Sequence, residues 1–288
     1  MSSTAPLKAV PLKKQCFADL DLGSTRLFEA AVASYKGLVF VHPDADAQFG
    51  SWRASLDEAV WPHEFEDMSA GIDVTYEMHC NWKVFFENAI DGYHLAYLHD
   101  QTLGGPRADL NVWDTHGSHL VWYSLETGER TCTPEAVKSA RWDGKLIKNA
   151  ERGDYGGVYM LFPNTIITAS PTSLSVSTLV PSGAEVCLLR VRTWHGESGA
   201  FDWLLGEHGG IENYPGYDPN TGYMKLECLK QHALETGDFH WEDVWICEKM
   251  QRSLRSPKFE IGALAAGAGA ESPLEFFQSQ VLAHLEDT

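Results

Sequence analysis

The stretch from residue 81 to residue 99, NWKVFFENAIDGYHLAYLH, places metal-binding side chains within an apolar run. Its two histidines, His94 and His99, are five positions apart, and Asp91 lies three positions before the first of them. Burying imidazoles and carboxylates costs several kcal/mol, roughly, unless each polar group finds a partner. A divalent metal ion is one such partner, and two hydrogen-bonded core histidines are the plainer alternative. The density of polar groups in this short stretch favours the metal.

The spacing of the two histidines restricts how they could share one ion. At about 3.6 residues per turn, Glu87, Asp91 and His94 lie on one face of a continuous helix. His99 then lies about 140° around the helix axis from His94. Both side chains can reach one ion only if the helix ends or widens between them, and a π-bulge is one way to do this. The sequence therefore predicts an irregularity between His94 and His99.

Longer patterns in this stretch resemble a known family. The residues N-W-K at 81–83, E-N at 87–88 and D-x-x-H-x4-H at 91–99 resemble the catalytic domain of Rieske-type non-haem iron oxygenases, the large (alpha) subunits of ring-hydroxylating oxygenases. The resemblance implies that His94 and His99 bind a mononuclear Fe(II) together with one distant carboxylate. It also implies that Asp91 hydrogen-bonds His94 from outside the metal shell, where a carboxylate fixes the orientation of the imidazole.

A second segment, WEDVWICEKMQ at residues 241–251, supplies the distant carboxylate. Four residues of this segment and the following turn recur on one predicted helical stripe: Val244, Cys247, Met250 and Leu254. The segment resembles the second motif of the family, a carboxylate followed by Glu and then Gln, and the match makes Asp243 the third iron ligand. Asp243 is also expected to face the apolar side of the helix with Cys247 and Met250. The neighbouring Glu242 and the earlier Asp91 are rival carboxylates.

The pattern of elements predicts an α+β fold of the helix-grip (START-like) type, an antiparallel sheet wrapped around a long helix. The segment 72–80 alternates apolar and polar residues, which is typical of a half-buried strand. Further strands are predicted at residues 118–125, 157–168, 173–180 and 186–194, and the apolar run 38–41 predicts a short buried strand. A C-terminal helix is expected to begin at Ser272, which is followed by proline and then, at the third helical position, by Glu275.

The resemblance divides the chain after residue 43. Residues 1–43 correspond to the tail end of the Rieske domain and its linker, and residues 44–288 correspond to the mononuclear iron catalytic domain. In the family, Cys-x-His and Cys-x-x-His motifs hold the Rieske [2Fe–2S] cluster. Neither pattern occurs in this sequence. The cluster is therefore expected for the family, but its ligands are not in this chain.

The resemblance implies an enzyme that activates O2 at Fe(II) and hydroxylates an aromatic or similarly apolar small molecule, as a dioxygenase, a monooxygenase or a demethylase. Two imidazoles and one carboxylate leave about three coordination positions open for this chemistry. Six apolar side chains are expected to wall the substrate pocket: Phe86, Leu95, Leu98, Phe162, Phe239 and Trp241. Asn88 is expected to provide a polar contact. By the same resemblance, electrons come from a reductase, with or without a ferredoxin, and the protein is a homotrimer.

Two alternatives of other classes stay open. One is a zinc hydrolase or lyase that uses His94, His99 and Asp243, and the other is a non-catalytic ligand-binding or partner subunit. The formal net charge of −18 over 288 residues argues against nucleic acid and anionic membranes as partners. The N-terminus lacks the apolar region of a signal peptide, and the six cysteines show no C-x-x-C spacing. A cytoplasmic protein with free thiols is therefore expected.

Overall fold

The structure, a computed structural model, describes most of the chain in separate ranges. The described residues are 7–25, 27–58, 65, 68–102, 111–124, 157–169, 173–195, 210–266 and 271–286. The chain forms two compact units, Met1–Ala54 and Ser55–Thr288. The division between the two units falls after residue 54, beyond the boundary at residue 43 that the resemblance implies.

The first unit contains the short helix α1 (Lys13–Cys16) and a hairpin of β1 (Ala31–Tyr35) with β2 (Leu38–His42). The helix α2 (Gly50–Glu58) begins in this unit. The strand predicted at residues 38–41 exists, but the expectation that it is buried is wrong, because Val39 and Val41 are 67% and 63% exposed. Alternate residues of a strand point to opposite faces, and these two valines lie on the exposed face of the hairpin.

In its described residues, the second unit is built on a nine-stranded sheet with the order β10-β11-β3-β9-β8-β7-β6-β5-β4. All neighbouring pairs are antiparallel except β11 and β3, which are parallel. Its strands are β3 Ser69–Met78, β4 Asn111–His116, β5 His119–Ser124, β6 Gly157–Leu161, β7 Thr165–Ala169, β8 Ser173–Pro181, β9 Cys187–His195, β10 Tyr217–Asp218 and β11 Tyr223–Lys225. The predicted α+β class with a large, mainly antiparallel sheet is confirmed.

Two of the predicted strands show how well local patterns specify this sheet. The alternation in the segment 72–80 is confirmed by β3, in which Val74, Tyr76 and Met78 are buried. The single strand predicted at 157–168 is instead two strands, β6 and β7, joined by a turn over residues 162–164. Proline and asparagine are typical turn residues, and the Asn164 amide donates to the Leu179 carbonyl at 2.7 Å.

Four α-helices lie wholly within the described part of this unit: α3 Trp82–Ile90, α4 Leu95–Leu98, α5 Phe239–Leu254 and α6 Ser272–Glu286. Three short 3-10 helices of the described residues lie at Ile211–Asn213, Leu226–Cys228 and Ala233–Glu235. The start of α6 at Ser272 agrees with the predicted helix start. Buried residues of α3, α5 and α6 share one hydrophobic core with the sheet. Its helical members include Phe85, Phe86, Ile90, Trp241, Val244, Cys247 and Phe277. None of the helices in the described ranges is long and apolar enough to cross a membrane.

The apolar stripe predicted on α5 is only partly right. Val244 and Cys247 are buried, but Met250 is 46% exposed and Leu254 also lies at the surface. Gln251 takes the buried position expected for Met250, because its Oε1 accepts a hydrogen bond from the Asn81 backbone N–H at 2.8 Å. A buried polar side chain with such a partner avoids the cost of an unsatisfied group. The expectation that Met250 lies on the apolar side of α5 with Asp243 and Cys247 is therefore wrong.

Candidate metal centre

The helical backbone is interrupted twice, at Asp91 before His94 and again at His99, where the turn that follows His94 ends. Helix α3 ends at Ile90, and its C-cap residue Asp91 has an extended backbone. The single turn α4 then lies between the two histidines, which are its N-cap and C-cap residues. Because His99 has already left helical geometry, at φ −104° and ψ 20°, the separation expected along a continuous helix does not apply. The Nε2 atoms of the two rings are 3.2 Å apart.

Helix α5 brings Asp243 to the two histidines. Its Oδ1 lies 3.0 Å from His99 Nε2 and 3.6 Å from His94 Nε2. Ligand atoms about 2.1 Å from one ion lie about 3.0 Å apart when adjacent in an octahedron and about 3.4 Å apart in a tetrahedron. The observed triangle fits three adjacent ligands of one ion. These three residues form one of the two groups in the described chain whose donor atoms could hold a metal.

Contacts between α3 and α5 set the position of Asp243. The Asn88 Nδ2 donates to Asp243 Oδ1 at 2.8 Å. One turn further along, the Cys247 thiol lies 3.9 Å from the Val84 carbonyl oxygen. The two helices are therefore antiparallel neighbours, and Asn88 directs its amide at the carboxylate. This places the predicted polar residue Asn88 beside the acid that is predicted to bind the metal.

Each histidine has a carboxylate near its Nδ1 atom. His99 Nδ1 lies 2.6 Å from Glu242 Oε2, and the Thr102 hydroxyl donates to the same oxygen at 2.8 Å. His94 Nδ1 lies 3.4 Å from Asp91 Oδ2, without the geometry of a hydrogen bond. Glu242, expected only as a rival ligand, instead contacts His99. No periodic pattern marks that contact, and its one sequence signal is adjacency to Asp243.

The charges of the centre suit a site that exchanges protons for a metal ion. Burial lowers the pKa of His94, but the Asp243 and Asp91 carboxylates outweigh it and raise that pKa to about 9. Burial likewise lowers the pKa of His99, and Asp243 with Glu242 raises it overall. Burial raises the pKa of Asp243, yet the two histidines hold it below its usual value. A bound cation would replace the imidazole protons that balance these carboxylates.

Several predicted site residues lie elsewhere or have other roles. Glu87, expected on the same face as Asp91 and His94, instead accepts a hydrogen bond from Gln278 of α6 at 3.2 Å. Trp241 is fully buried and packs edge-to-face on Tyr76, so it is a core residue. By contrast, the Phe239 ring lies 6.3 Å from the His99 ring and is 39% exposed. Leu95 and Leu98 lie in α4, between the two histidines.

A cavity in the second unit includes two of the predicted pocket walls, Phe86 and Phe162. Its lining residues are Phe86, Ile90, Ser118, Leu120, Met160, Phe162, Phe276 and Phe277. Phe86 and Asn88 are two positions apart on α3, which corresponds to about 200° around the helix axis. Asn88 faces Asp243, so this cavity lies on the opposite side of α3 from the metal donors. Phe86 and Phe162 are therefore separated from the centre they were expected to enclose.

The fold and the centre together define a class of protein, an α+β domain with two histidines and one carboxylate as candidate ligands of one metal. Residues 65–287 match the family described as the ring hydroxylating alpha subunit (catalytic domain), and the chain belongs to this family. Its members are non-haem iron oxygenases that work with a Rieske [2Fe–2S] cluster and O2. The family assignment made from the motifs is thus confirmed.

Two curated relatives match this chain over part of their own length. The chloroplastic choline monooxygenase of Arabidopsis thaliana is 26% identical over 205 residues, covering 70% of this chain and 39% of the relative. The glycine betaine monooxygenase oxygenase subunit of Chromohalobacter salexigens is 24% identical over 275 residues, covering 85% and 56%. The chain therefore spans about half the length, or less, of these two relatives.

Solved structures show the same fold at low identity. The quaternary ammonium Rieske monooxygenase CntA, in complex with L-carnitine, aligns with a TM-score of 0.63 and 16% identity over 96% of this chain and 66% of its own. Naphthalene 1,2-dioxygenase with bound indole aligns with a TM-score of 0.58 and 13% identity, covering 97% and 70%. The two proteins are named for chemically different substrates, so the shared fold does not specify one.

Proposed function

We propose that this chain is the catalytic domain of an oxygenase in which His94, His99 and Asp243 hold one Fe(II). The observation that carries the proposal is the triangle of two imidazole nitrogens and one carboxylate oxygen, with sides of 3.0, 3.2 and 3.6 Å. Iron held by such a set has open coordination positions at which O2 can be activated beside a substrate. The family to which the chain belongs supports iron over zinc.

The surrounding residues have separable roles in this proposal. Asn88 orients the Asp243 carboxylate through its 2.8 Å hydrogen bond. Asp91 lies close enough to His94 Nδ1 that a small side-chain rotation would create a hydrogen bond. In this proposal Leu95 and Leu98, which lie in the turn between the two histidines, and Phe239, whose ring lies 6.3 Å from that of His99, keep water from the reacting groups.

The proposed substrate is an aromatic or similarly apolar small molecule. Support comes from the partly exposed Phe239 ring near His99 and from the apolar residues of α4. A small quaternary ammonium compound is the second candidate, favoured by relatives named for choline, glycine betaine and carnitine. An aromatic face such as that of Phe239 can bind a methylated ammonium group by a cation–π interaction. In both cases we propose that a reductase and a Rieske cluster deliver the electrons, and that the assembly is a homotrimer.

Metal analysis and a single-turnover reaction test the proposal. Protein purified without oxygen and loaded with Fe(II) is expected to hold about one iron per chain. With a chemical reductant and ¹⁸O2, it should transfer label into naphthalene or benzoate, or convert choline to its aldehyde or glycine betaine to its demethylated amine and formaldehyde. Asp243→Ala should lose the iron and the product. Glu248→Gln is the matched control on the same helix, because its carboxylate accepts from the His79 backbone N–H, away from the centre.

Two outcomes would contradict this proposal. Stoichiometric zinc with no iron uptake would favour the zinc hydrolase or lyase. If iron is bound and the reductant delivers electrons, but none of the four compounds is oxidised, a ligand-binding or partner subunit would be favoured.

A further inference from the structure

The two histidines of the centre differ in the hydrogen-bond partner of their Nδ1 atoms. Glu242 Oε2 lies 2.6 Å from His99 Nδ1, and both side chains are only 1% exposed. The same oxygen accepts the Thr102 hydroxyl at 2.8 Å. Burying a carboxylate is costly unless it is paired and hydrogen-bonded. Glu242 meets this condition through His99 and Thr102, so its side chain is held in one orientation.

His94 lacks such a partner. Its Nδ1 is buried without a hydrogen bond, and the nearest carboxylate oxygen, Asp91 Oδ2, is 3.4 Å away. Asp91 follows the last residue of α3 and is more exposed than Glu242. Asp91 therefore lies in the short segment between α3 and α4, whereas Glu242 lies in the first turn of α5.

The contact with Glu242 also determines which nitrogen of His99 is available. A carboxylate only accepts hydrogen bonds, so a neutral His99 must place its proton on Nδ1. The lone pair on Nε2 then points towards Asp243, which lies 3.0 Å away, and towards His94. Because Glu242 and Asp243 are consecutive residues of α5, this helix turn orients one candidate ligand and supplies another.

We propose that Glu242 is a positioning residue that orients His99 for metal binding, with Thr102 holding Glu242 in place. Hydrogen bonds then hold the side chains of His99 and Asp243 in one orientation, whereas the His94 ring is free to change its orientation when the ion binds. This inference rests on the proposed function, since it assumes that the triad binds an ion. It adds Glu242 to Asp91, the outer carboxylate that the resemblance implies.

Co(II) binding to the purified chain tests this inference without requiring turnover. Glu242→Gln should weaken Co(II) binding by about 10- to 100-fold, the range observed when outer-shell partners of metal ligands are removed. Asp91→Asn should weaken it less than tenfold. Glu248→Gln removes the same charge from the same helix and should leave Co(II) affinity unchanged. Thr102→Val keeps the carboxylate and removes one hydroxyl, so it should give a smaller loss than Glu242→Gln.

A spectroscopic measurement separates orientation from a general loss of stability. In Zn(II)-loaded protein, ¹⁵N-edited NMR of the histidine rings should show a downfield Nδ1–H proton for His99 that disappears in Glu242→Gln. If Glu242→Gln does not fold, the Co(II) affinity of Thr102→Val becomes the test. A Thr102→Val protein that binds Co(II) as tightly as the unaltered chain would overturn the inference. Equal losses in Glu242→Gln and Asp91→Asn would also overturn it. Failure of the unaltered chain to bind any of these ions would instead overturn the proposed function together with this inference.

Discussion

Replacing Asp238 by asparagine would test what anchors the start of α5, the helix that carries Asp243. The Asp238 Oδ1 accepts the His240 backbone N–H at 3.0 Å. Its Oδ2 accepts two tyrosine hydroxyls, from Tyr214 at 2.8 Å and from Tyr76 at 3.1 Å. Burial raises the pKa of Asp238, but the hydrogen bonds from His240 and Tyr214 outweigh it and lower that pKa overall. One carboxylate thus ties the helix to a sheet strand and to the loop before β10.

The expected cost follows from the bonds that asparagine cannot reproduce. Asparagine is a good N-cap residue, so its oxygen can still accept from His240. Its amide nitrogen would face the two tyrosine hydroxyls as a donor in place of an acceptor. A hydrogen bond to a charged group contributes about 1.5–3 kcal/mol. Two such bonds at the lower limit give a loss of about 3 kcal/mol in the free energy of unfolding.

Urea unfolding of Asp238→Asn at several pH values would measure this loss. Tyr214→Phe removes one of the two bonds and should cost about half as much. Because the pKa of Asp238 in the folded state lies below its ordinary 3.8, its stabilising effect is fully present above about pH 4 and is lost as the pH falls through the folded pKa. The difference from the unaltered protein should therefore stay constant from pH 8 to pH 5 and shrink below pH 4. A loss under about 1 kcal/mol at pH 7, or one that grows on acidification, would refute this reasoning.

Two further comparisons use matched pairs within the chain. Gly216 has φ +83°, and a Cβ there would lie 2.3 Å from the Trp241 ring, whereas Gly222 has φ +72° with open space around it. Gly216→Ala should cost about 1–3 kcal/mol more than Gly222→Ala in thermal or urea unfolding, and equal costs would contradict the close packing of Trp241. Phe86 stacks on Phe277 at 4.4 Å in the core, while Phe239 is 39% exposed. Phe86→Ala should therefore lose about 3–5 kcal/mol of stability and Phe239→Ala about 1 kcal/mol, and the reverse order would disagree with the burial of these rings.

The sheet was the most predictable part of the fold because alternation is a local property. In β3, every second residue from Val74 onward is buried, as the pattern predicts. Exposure of the valines in β2 was not predictable, since a short apolar run has the same local appearance in a buried and an exposed strand. Gln251, and not the predicted Met250, lies on the buried face of α5. This was not predictable either, because the hydrogen-bond partner of Gln251 is the backbone N–H of Asn81, which is remote in sequence.

The motifs identified the ligand types, but helix packing decides which acid meets the histidines. Along the antiparallel pair of α3 and α5, Asn88 contacts Asp243, Val84 contacts Cys247, and Asn81 contacts Gln251. These contacts recur about once per turn on both helices, so they define one register.

A shift of one residue in that register would turn the α5 face by about 100°. The carboxylate of Glu242, and not that of Asp243, would then be the one directed at Asn88. In the observed register Asp243 faces the Nε2 atoms, and Glu242 is left to bind the Nδ1 atom of His99. The different roles of these two adjacent acids therefore follow in part from the contacts of Val84 with Cys247 and of Asn81 with Gln251, which lie outside the centre.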